Sequence, residues 1–163
     1  MTVKPRHPLS HFGAGGEARM VDVGGKTTTV RRAVASGRIT VGKATLRAIT
    51  RGTLPKGNPF EVARIAGITA AKKTAELIPL CHPLRLTAVN VEIAVKAVAS
   101  VIEVSVAASA EEKTGVEMEA LVGCTVALLT IYDMLKAIDP AMVISDVRVL
   151  EKTGGKSDFR RVK

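Results

Sequence analysis

At 163 residues, 47% of them hydrophobic and with a mean hydropathy of +0.23, the chain can bury one real core and has apolar surface left over for contacts between subunits. Cys81 and Cys124 lie far apart without a CxxC, and His7, His11 and His82 are the only histidines, which argues against a zinc site or a disulfide framework. A formal charge of +9 favours an anionic partner, nucleic acid or a phosphorylated small molecule, yet three Phe, one Tyr and no Trp leave almost no stacking platform for single strands.

Residues 1–25 read as a polar, Gly-rich arm with one apolar stretch, "ARMVDV", and residues 1–15 are expected to be flexible. The opening "MTVKPRHPLSHF" lacks the apolar segment of a signal peptide, so a cytoplasmic location is expected. Alternation in "TVRRAVASGRITV" puts Ala33, Ala35, Gly37, Ile39 and Val41 on one face of a strand. A helix follows over 43–51, then the loop "GTLPKGN". Asn58 as cap, Pro59 in the first turn and Glu61 three residues after the cap start a second helix, with Val62, Ile65, Ala66 and Thr69 as its inner face. Gly67 is expected to permit close packing, and Pro79 to end the helix.

Two alternating strands come next, carrying Val89, Val91, Ile93 and Val95, then Ile102, Val104 and Val106, joined by a hairpin at "KAVAS". The longest helix starts in "TGVEMEAL", where Thr114 and Glu117 fit a capping box, and stops before Asp139-Pro140. Its uncharged apolar stretch, Val122–Tyr132, is shorter than the ~20 residues of a membrane span. "AMVISDVRVL" makes a last strand, and residues 152–163 a basic tail. A hairpin with strands separated by helices predicts a single α+β domain with an antiparallel sheet.

"GGKTTT" imitates a Walker A loop, but position 20 is Met where glycine is needed, and "GAGG" lacks the third glycine of a dinucleotide fingerprint. On the long helix Glu119, Asp133 and Lys136 fall on one stripe. Asp133 and Lys136 are either an ordinary surface pair or an aspartate orienting a partly desolvated lysine that moves protons near neutral pH. "KTGGK" is either a disordered basic segment or a phosphate cradle built from Lys152, Lys156 and free backbone N–H groups. His82, in "LIPLCHPL", points away from Cys81 on an extended backbone and has no companion ligands. It is a core histidine or a pocket-lining donor, and spacing leaves both open.

Together "GEARMVDV", "LPKGNPFEVARIAGITAAKKTAELIPLCHPL", "KTGVEMEALVGCTVALLTIYDMLKAI" and "GGKS" resemble the molybdenum-cofactor biosynthesis protein C family over about residues 10–157. The resemblance implies a ferredoxin-like antiparallel sheet with helices on one face, assembled as a homohexamer (a trimer of dimers) with sites between subunits. It implies conversion of 3′,8-cyclo-7,8-dihydroguanosine 5′-triphosphate to cyclic pyranopterin monophosphate and pyrophosphate. By position it assigns catalysis to Asp133, Lys136 and Lys56, and substrate contact to Leu80, Cys81, His82, Met118 and Glu119. Glu117, Arg31, Lys26, Lys152 and Lys156 line the pocket or grip phosphates. Such chemistry needs proton transfer and charge neutralisation without redox, so no cofactor and no metal is expected, nor a nucleic-acid or membrane partner. Lys136 and Lys56, mutually repelling, are expected to have lowered pKa values, with Lys136 fixed by Asp133. The rival reading is a basic nucleic-acid-binding module using the tail with Arg31, Arg32 and Arg38, its affinity falling steeply with salt.

Overall fold

The computed structural model describes residues 11–161 except Ala14 and Pro55; residues 1–10 of the expected arm, with Val162 and Lys163 of the tail, lie outside the described residues. The elements are β1 (Thr29–Thr40), α1 (Lys43–Arg51), α2 (Pro59–Lys72), α3 (Thr74–Leu77), β2 (Leu86–Lys96), β3 (Val101–Glu112), α4 (Glu117–Leu135), β4 (Val143–Thr153) and β5 (Phe159–Arg160). The sheet runs β2-β3-β1-β4-β5, and every pairing is antiparallel. With α1–α3 between β1 and β2 and α4 between β3 and β4, the first four strands follow the split βαβ, ferredoxin-like pattern. β5 adds a short outer edge. The fold is α+β, as the alternation of strands and helices predicts.

The strands place most of their expected residues on the helix side, whereas Val95, near the end of β2, is exposed. Ala33, Ala35, Ile39, Val91, Ile102, Val104 and Val106 are buried on that side, against Cys124, Ala127, Leu128, Ile131 and Leu135 of α4. Large side chains such as Ile39, Leu128 and Ile131 each contribute roughly 1.5–3 kcal/mol through burial. Gly37 belongs to this face because a Cβ there would lie 2.7 Å from Leu128 Cδ1.

α4 is long and apolar enough, by length and composition, to cross a membrane, its window running past Val122–Tyr132 in both directions. Half of that window is buried in the body, and the helix serves as the core element between the sheet and α2.

Asn58 caps α2 as expected, its side chain accepting from the Phe60 N–H at 3.0 Å. The inner face of α2 is different from the expectation, however. Ala63, Gly67, Ala70 and Ala71 are buried, whereas Val62 and Ile65 are exposed. A Cβ on Gly67 would come within 3.0 Å of the Gly123 carbonyl, and one on Gly123 within 3.1 Å of the Gly67 carbonyl. Two backbones this close leave room only for small side chains, so the larger ones turn outward. α2 ends at Lys72, and Pro79 follows the separate turn α3. The Thr114–Glu117 capping box does not form: Val116 is the cap residue of α4, without a side-chain bond. The described part of the tail packs back onto the sheet. Gly154, at φ +85°, approaches the Val30 carbonyl so closely that a Cβ would lie 1.9 Å from it, and β5 then pairs with Glu151 and Lys152.

Candidate active site

Two hollows of about 390 and 250 Å³ meet at a common wall of Lys26, Thr114, Gly115 and Glu117. The turn after α3, closed by the Cys81 N–H on the Ile78 carbonyl at 3.1 Å, delivers Leu80, Cys81 and His82 to the larger one. The first turn of α4 supplies Met118 and Glu119, and Val21 and Val23 of "ARMVDV" close the far side. The smaller hollow is lined by Arg31 and Arg32 of β1, Lys152 of β4 and Lys156 of the following turn. Thus Leu80–His82, Glu117–Glu119, Lys26, Arg31, Lys152 and Lys156 all border one bipartite cleft.

Its cations are held apart from one another by specific partners. Arg31 donates to the carbonyls of Glu112 at 3.2 Å and Lys113 at 3.4 Å. Lys152 pairs with Glu117 at 3.2 Å, and Arg32 with Glu151 at 2.8 Å. Lys113, which the sequence reading passed over although it opens "KTGVEMEAL", donates to the Gly24 carbonyl at 2.7 Å. That bond pins the turn in which Asp22 accepts from the Gly24 N–H at 2.7 Å, and so positions Lys26 between the two hollows. The smaller hollow is therefore lined mainly by cations, with Glu117 as its acid. The larger one has fewer cations and includes the Glu119 carboxyl in its wall.

That carboxyl, Glu119, is only 4% exposed. Burial pushes its pKa up to about 7, and the neighbouring Glu117 charge adds to the rise. The Cys81 thiol is also pushed up, by burial and then by Glu119, which leaves it a poor nucleophile at neutral pH. Among the described residues no three His, Cys, Asp or Glu side chains converge as a metal site would require.

Asp133, Lys136 and Lys56 form a second cluster. Lys136 Nζ is 2.8 Å from Asp133 Oδ1, and Lys56 Nζ is 3.7 Å from Oδ2 and 3.2 Å from the Asp133 carbonyl. The αL turn at Gly57 (φ +79°) brings the Lys56 loop back onto the C-terminal end of α4. Here the expectation of lowered lysine pKa values is corrected for Lys136. Its hydrogen bond and charge interaction with Asp133 raise it, and the same contacts, with the Lys56 charge, lower Asp133. Both side chains are exposed in the chain, so desolvation is too small to overcome the attraction. The single stripe expected for Glu119, Asp133 and Lys136 is corrected as well: Glu119 faces the core while the other two face outward.

The two clusters do not meet within one chain. Glu117 and Asp133 lie at opposite ends of α4, 16 residues and about 24 Å apart at 1.5 Å per residue. Between them Met118, Val122, Thr125, Leu129, Asp133 and Lys136 form one outward stripe. Leu129 is 53% exposed, with Val62 and Ile65 also exposed on the adjacent α2.

Residues 20–155 match the model of the MoaC family. A cyclic pyranopterin monophosphate synthase of Novosphingobium aromaticivorans is 59% identical over 149 residues, 91% of this chain and 94% of that protein. Proteins of the same name from Heliobacterium modesticaldum and Parvibaculum lavamentivorans are 53% and 51% identical, over 92% and 95% of this chain and 94% and 97% of their own. A family match over most of the chain, with relatives alike end to end, shows that the chain belongs to the MoaC family.

Proposed function

We propose that this chain is a cyclic pyranopterin monophosphate synthase, taking 3′,8-cyclo-7,8-dihydroguanosine 5′-triphosphate to cyclic pyranopterin monophosphate and pyrophosphate. The observation that carries the reading is the bipartite cleft, with a cation-lined hollow for phosphates beside a wider one whose wall includes buried Glu119. Lys26, Arg31, Lys152 and Lys156 neutralise the triphosphate. Leu80, Cys81, His82 and Met118 hold the ring system, with His82 as a hydrogen-bonding wall residue. Glu119, near half-ionised at neutral pH, exchanges protons as the guanine-derived ring opens and re-closes as a pterin. A substrate oxygen then attacks the α-phosphorus, the bond from that phosphorus to the bridging oxygen breaks, and the electron pair leaves with pyrophosphate. Lys136 and Lys56 act as ammonium groups in this step, donating to the departing oxygen, and Asp133 aims Lys136.

This division of labour requires two copies. A two-fold axis through the middle of the outer α4 stripe, near Thr125 and Val126, carries the Asp133–Lys136 end of one copy to the Met118–Glu119 end of the other. Each site then draws its cleft from one chain and Lys56, Asp133 and Lys136 from its neighbour, within a homohexamer of such dimers. The whole chain acts as one domain, located in the cytoplasm, without a nucleic-acid partner.

Pyrophosphate release and pterin formation from the cyclised dihydro-GTP test the activity. Mixed subunits test the sharing. Glu119→Gln and Lys136→Ala chains, each inactive alone, should recover about a quarter of wild-type turnover after co-refolding, because half the dimers are mixed and each of those holds one intact site. No recovery in mixed dimers would mean that each chain builds its own site.

A further inference from the structure

α1 begins without a cap of its own. Its N-cap residue is Gly42, and its first turn holds no acid. In a capping box a glutamate at the third helical position reaches back to the N-cap N–H. Here that position is Thr45, which has a hydroxyl in place of a carboxylate. The missing carboxylate comes from 97 residues away. Asp139 Oδ2 accepts from the Gly42 N–H at 2.6 Å and from the Thr45 hydroxyl at 3.1 Å, and Oδ1 accepts from the Ala141 N–H at 3.3 Å. Thr45 is fully buried at this junction, and the carboxylate meets the positive end of the helix.

The two segments joined in this way carry the two lysines of the second cluster. Asp139 lies three residues after Lys136, on the turn that closes α4. α1 leads from Gly42 to the loop of Lys56, which is bounded by Gly52 at φ +66° and Gly57 at φ +79°. α1 packs only sparsely on the other elements, with Leu46 in the core and Ile49 and Leu54 half-buried against it. Lys56 meets the Asp133 carboxylate in an exposed ion pair at 3.7 Å, and such pairs order little on their own. The Lys136 turn, by contrast, is held without the Asp139 carboxylate. The Lys136 N–H donates to the Tyr132 carbonyl at 2.8 Å and the Asp139 N–H to the Leu135 carbonyl at 3.1 Å. The Tyr132 hydroxyl donates to the Pro140 carbonyl at 3.2 Å.

We infer that Asp139 is a positioning residue for Lys56. By capping α1 from the end of α4, its carboxylate sets the approach of the Lys56 ammonium to Asp133 and Lys136. The kinetic consequence rests on the synthase reading, in which Lys56 donates to the departing oxygen, whereas the clamp itself does not. Misplacing a reacting group by about 1 Å can cost ~100-fold, and loss of one cap on a short helix should cost about 10-fold in kcat. KM should stay within about twofold, because the cleft is unchanged.

Competitive acetylation, read by peptide mass, tests the clamp without turnover, with exposed Lys72 as the internal reference. In Asp139→Ala the labelling of Lys56 relative to Lys72 should rise at least ~3-fold as the loop opens. Asp139→Asn keeps an acceptor oxygen for Gly42 and Thr45 and should label like the parent. Kinetics should follow, with kcat about 10-fold lower in Asp139→Ala at constant KM and largely restored in Asp139→Asn. When Lys56 is already Ala, Asp139→Ala should cost less than about twofold more. Parent-like labelling of Lys56 in Asp139→Ala, or an equal fall in kcat with and without Lys56, would overturn the proposal. A rise in labelling in a protein whose parent shows no turnover would sink the synthase reading and leave the clamp standing. If Asp139→Ala does not fold, Thr45→Val decides. It keeps the buried shape, loses the hydroxyl bond and should raise Lys56 labelling in the same direction, and no rise overturns the proposal.

Discussion

Glu119 is the side chain whose environment departs furthest from water while its chemistry still matters near neutral pH. A carboxyl buried to 4% exposure, with its pKa raised from 4.5 to about 7, binds its proton more tightly folded than unfolded. Between those values the unfolded chain carries fewer protons, so stability falls as pH rises, and above about 7 the full cost is present. At pH 8 that cost is roughly 3 kcal/mol at 1.36 kcal/mol per pH unit. Glu119→Gln should therefore melt several degrees above the parent at pH 8 and close to it near pH 4, while losing nearly all turnover at either pH. A variant that is no more stable at pH 8 would show that the carboxylate is stabilised in place. Asp133 and Lys136 carry no comparable stability signature, being exposed. Asp133→Asn should instead return the Lys136 pKa toward its ordinary value and move the basic limb of the pH–rate profile to lower pH. An unmoved limb would separate the pair from proton transfer.

At the scale of elements, the antiparallel register and the crossed backbones of α2 and α4 explain which readings of the sequence survive. Strand alternation is legible because its period of two is fixed by the backbone, so Ala33, Ala35, Ile39, Val91 and Val104 all turn inward. Helix faces are less legible. Hydrophobicity selects Val62 and Ile65, but the contact between Gly67 and Gly123 selects small side chains, and the alanines win. The Thr114–Glu117 cap fails for a local reason, since the Glu117 carboxylate is drawn to Lys152. Gly67→Val is the direct test of the small-residue contact. Its branched side chain would press on the Gly123 carbonyl, and overpacking of this kind costs about 1–3 kcal/mol. A fall in Tm of several degrees is expected for a chain of this length. No fall would mean that the helices separate without penalty.

At the scale of the whole molecule, the residues that border the cleft were legible as motifs, but their division into two groups was not assigned by them. The motifs name Asp133 and Glu117 as members of one site, while helix geometry sets them about 24 Å apart. Sequence spacing carries that length without saying what covers the stripe between, where Leu129 stands exposed beside Val62 and Ile65 of α2. Apolar side chains in a row beside two halves of a site cost free energy in water and return it on burial, about 25 cal/mol per Å². Leu129→Arg places a charge on that stripe, in surface that the proposed contact would bury. It leaves the cleft unchanged and lies one helical turn before Asp133. On the proposed shared site, the expected outcome is a folded chain with the parent's circular dichroism, a smaller sedimenting species and at least a ~100-fold loss of turnover, each cleft losing the Asp133–Lys136 end of its neighbour. High protein concentration should recover part of the activity by mass action. Full turnover from a monomeric Leu129→Arg chain would mean that one chain builds a complete site, and would overturn the shared one.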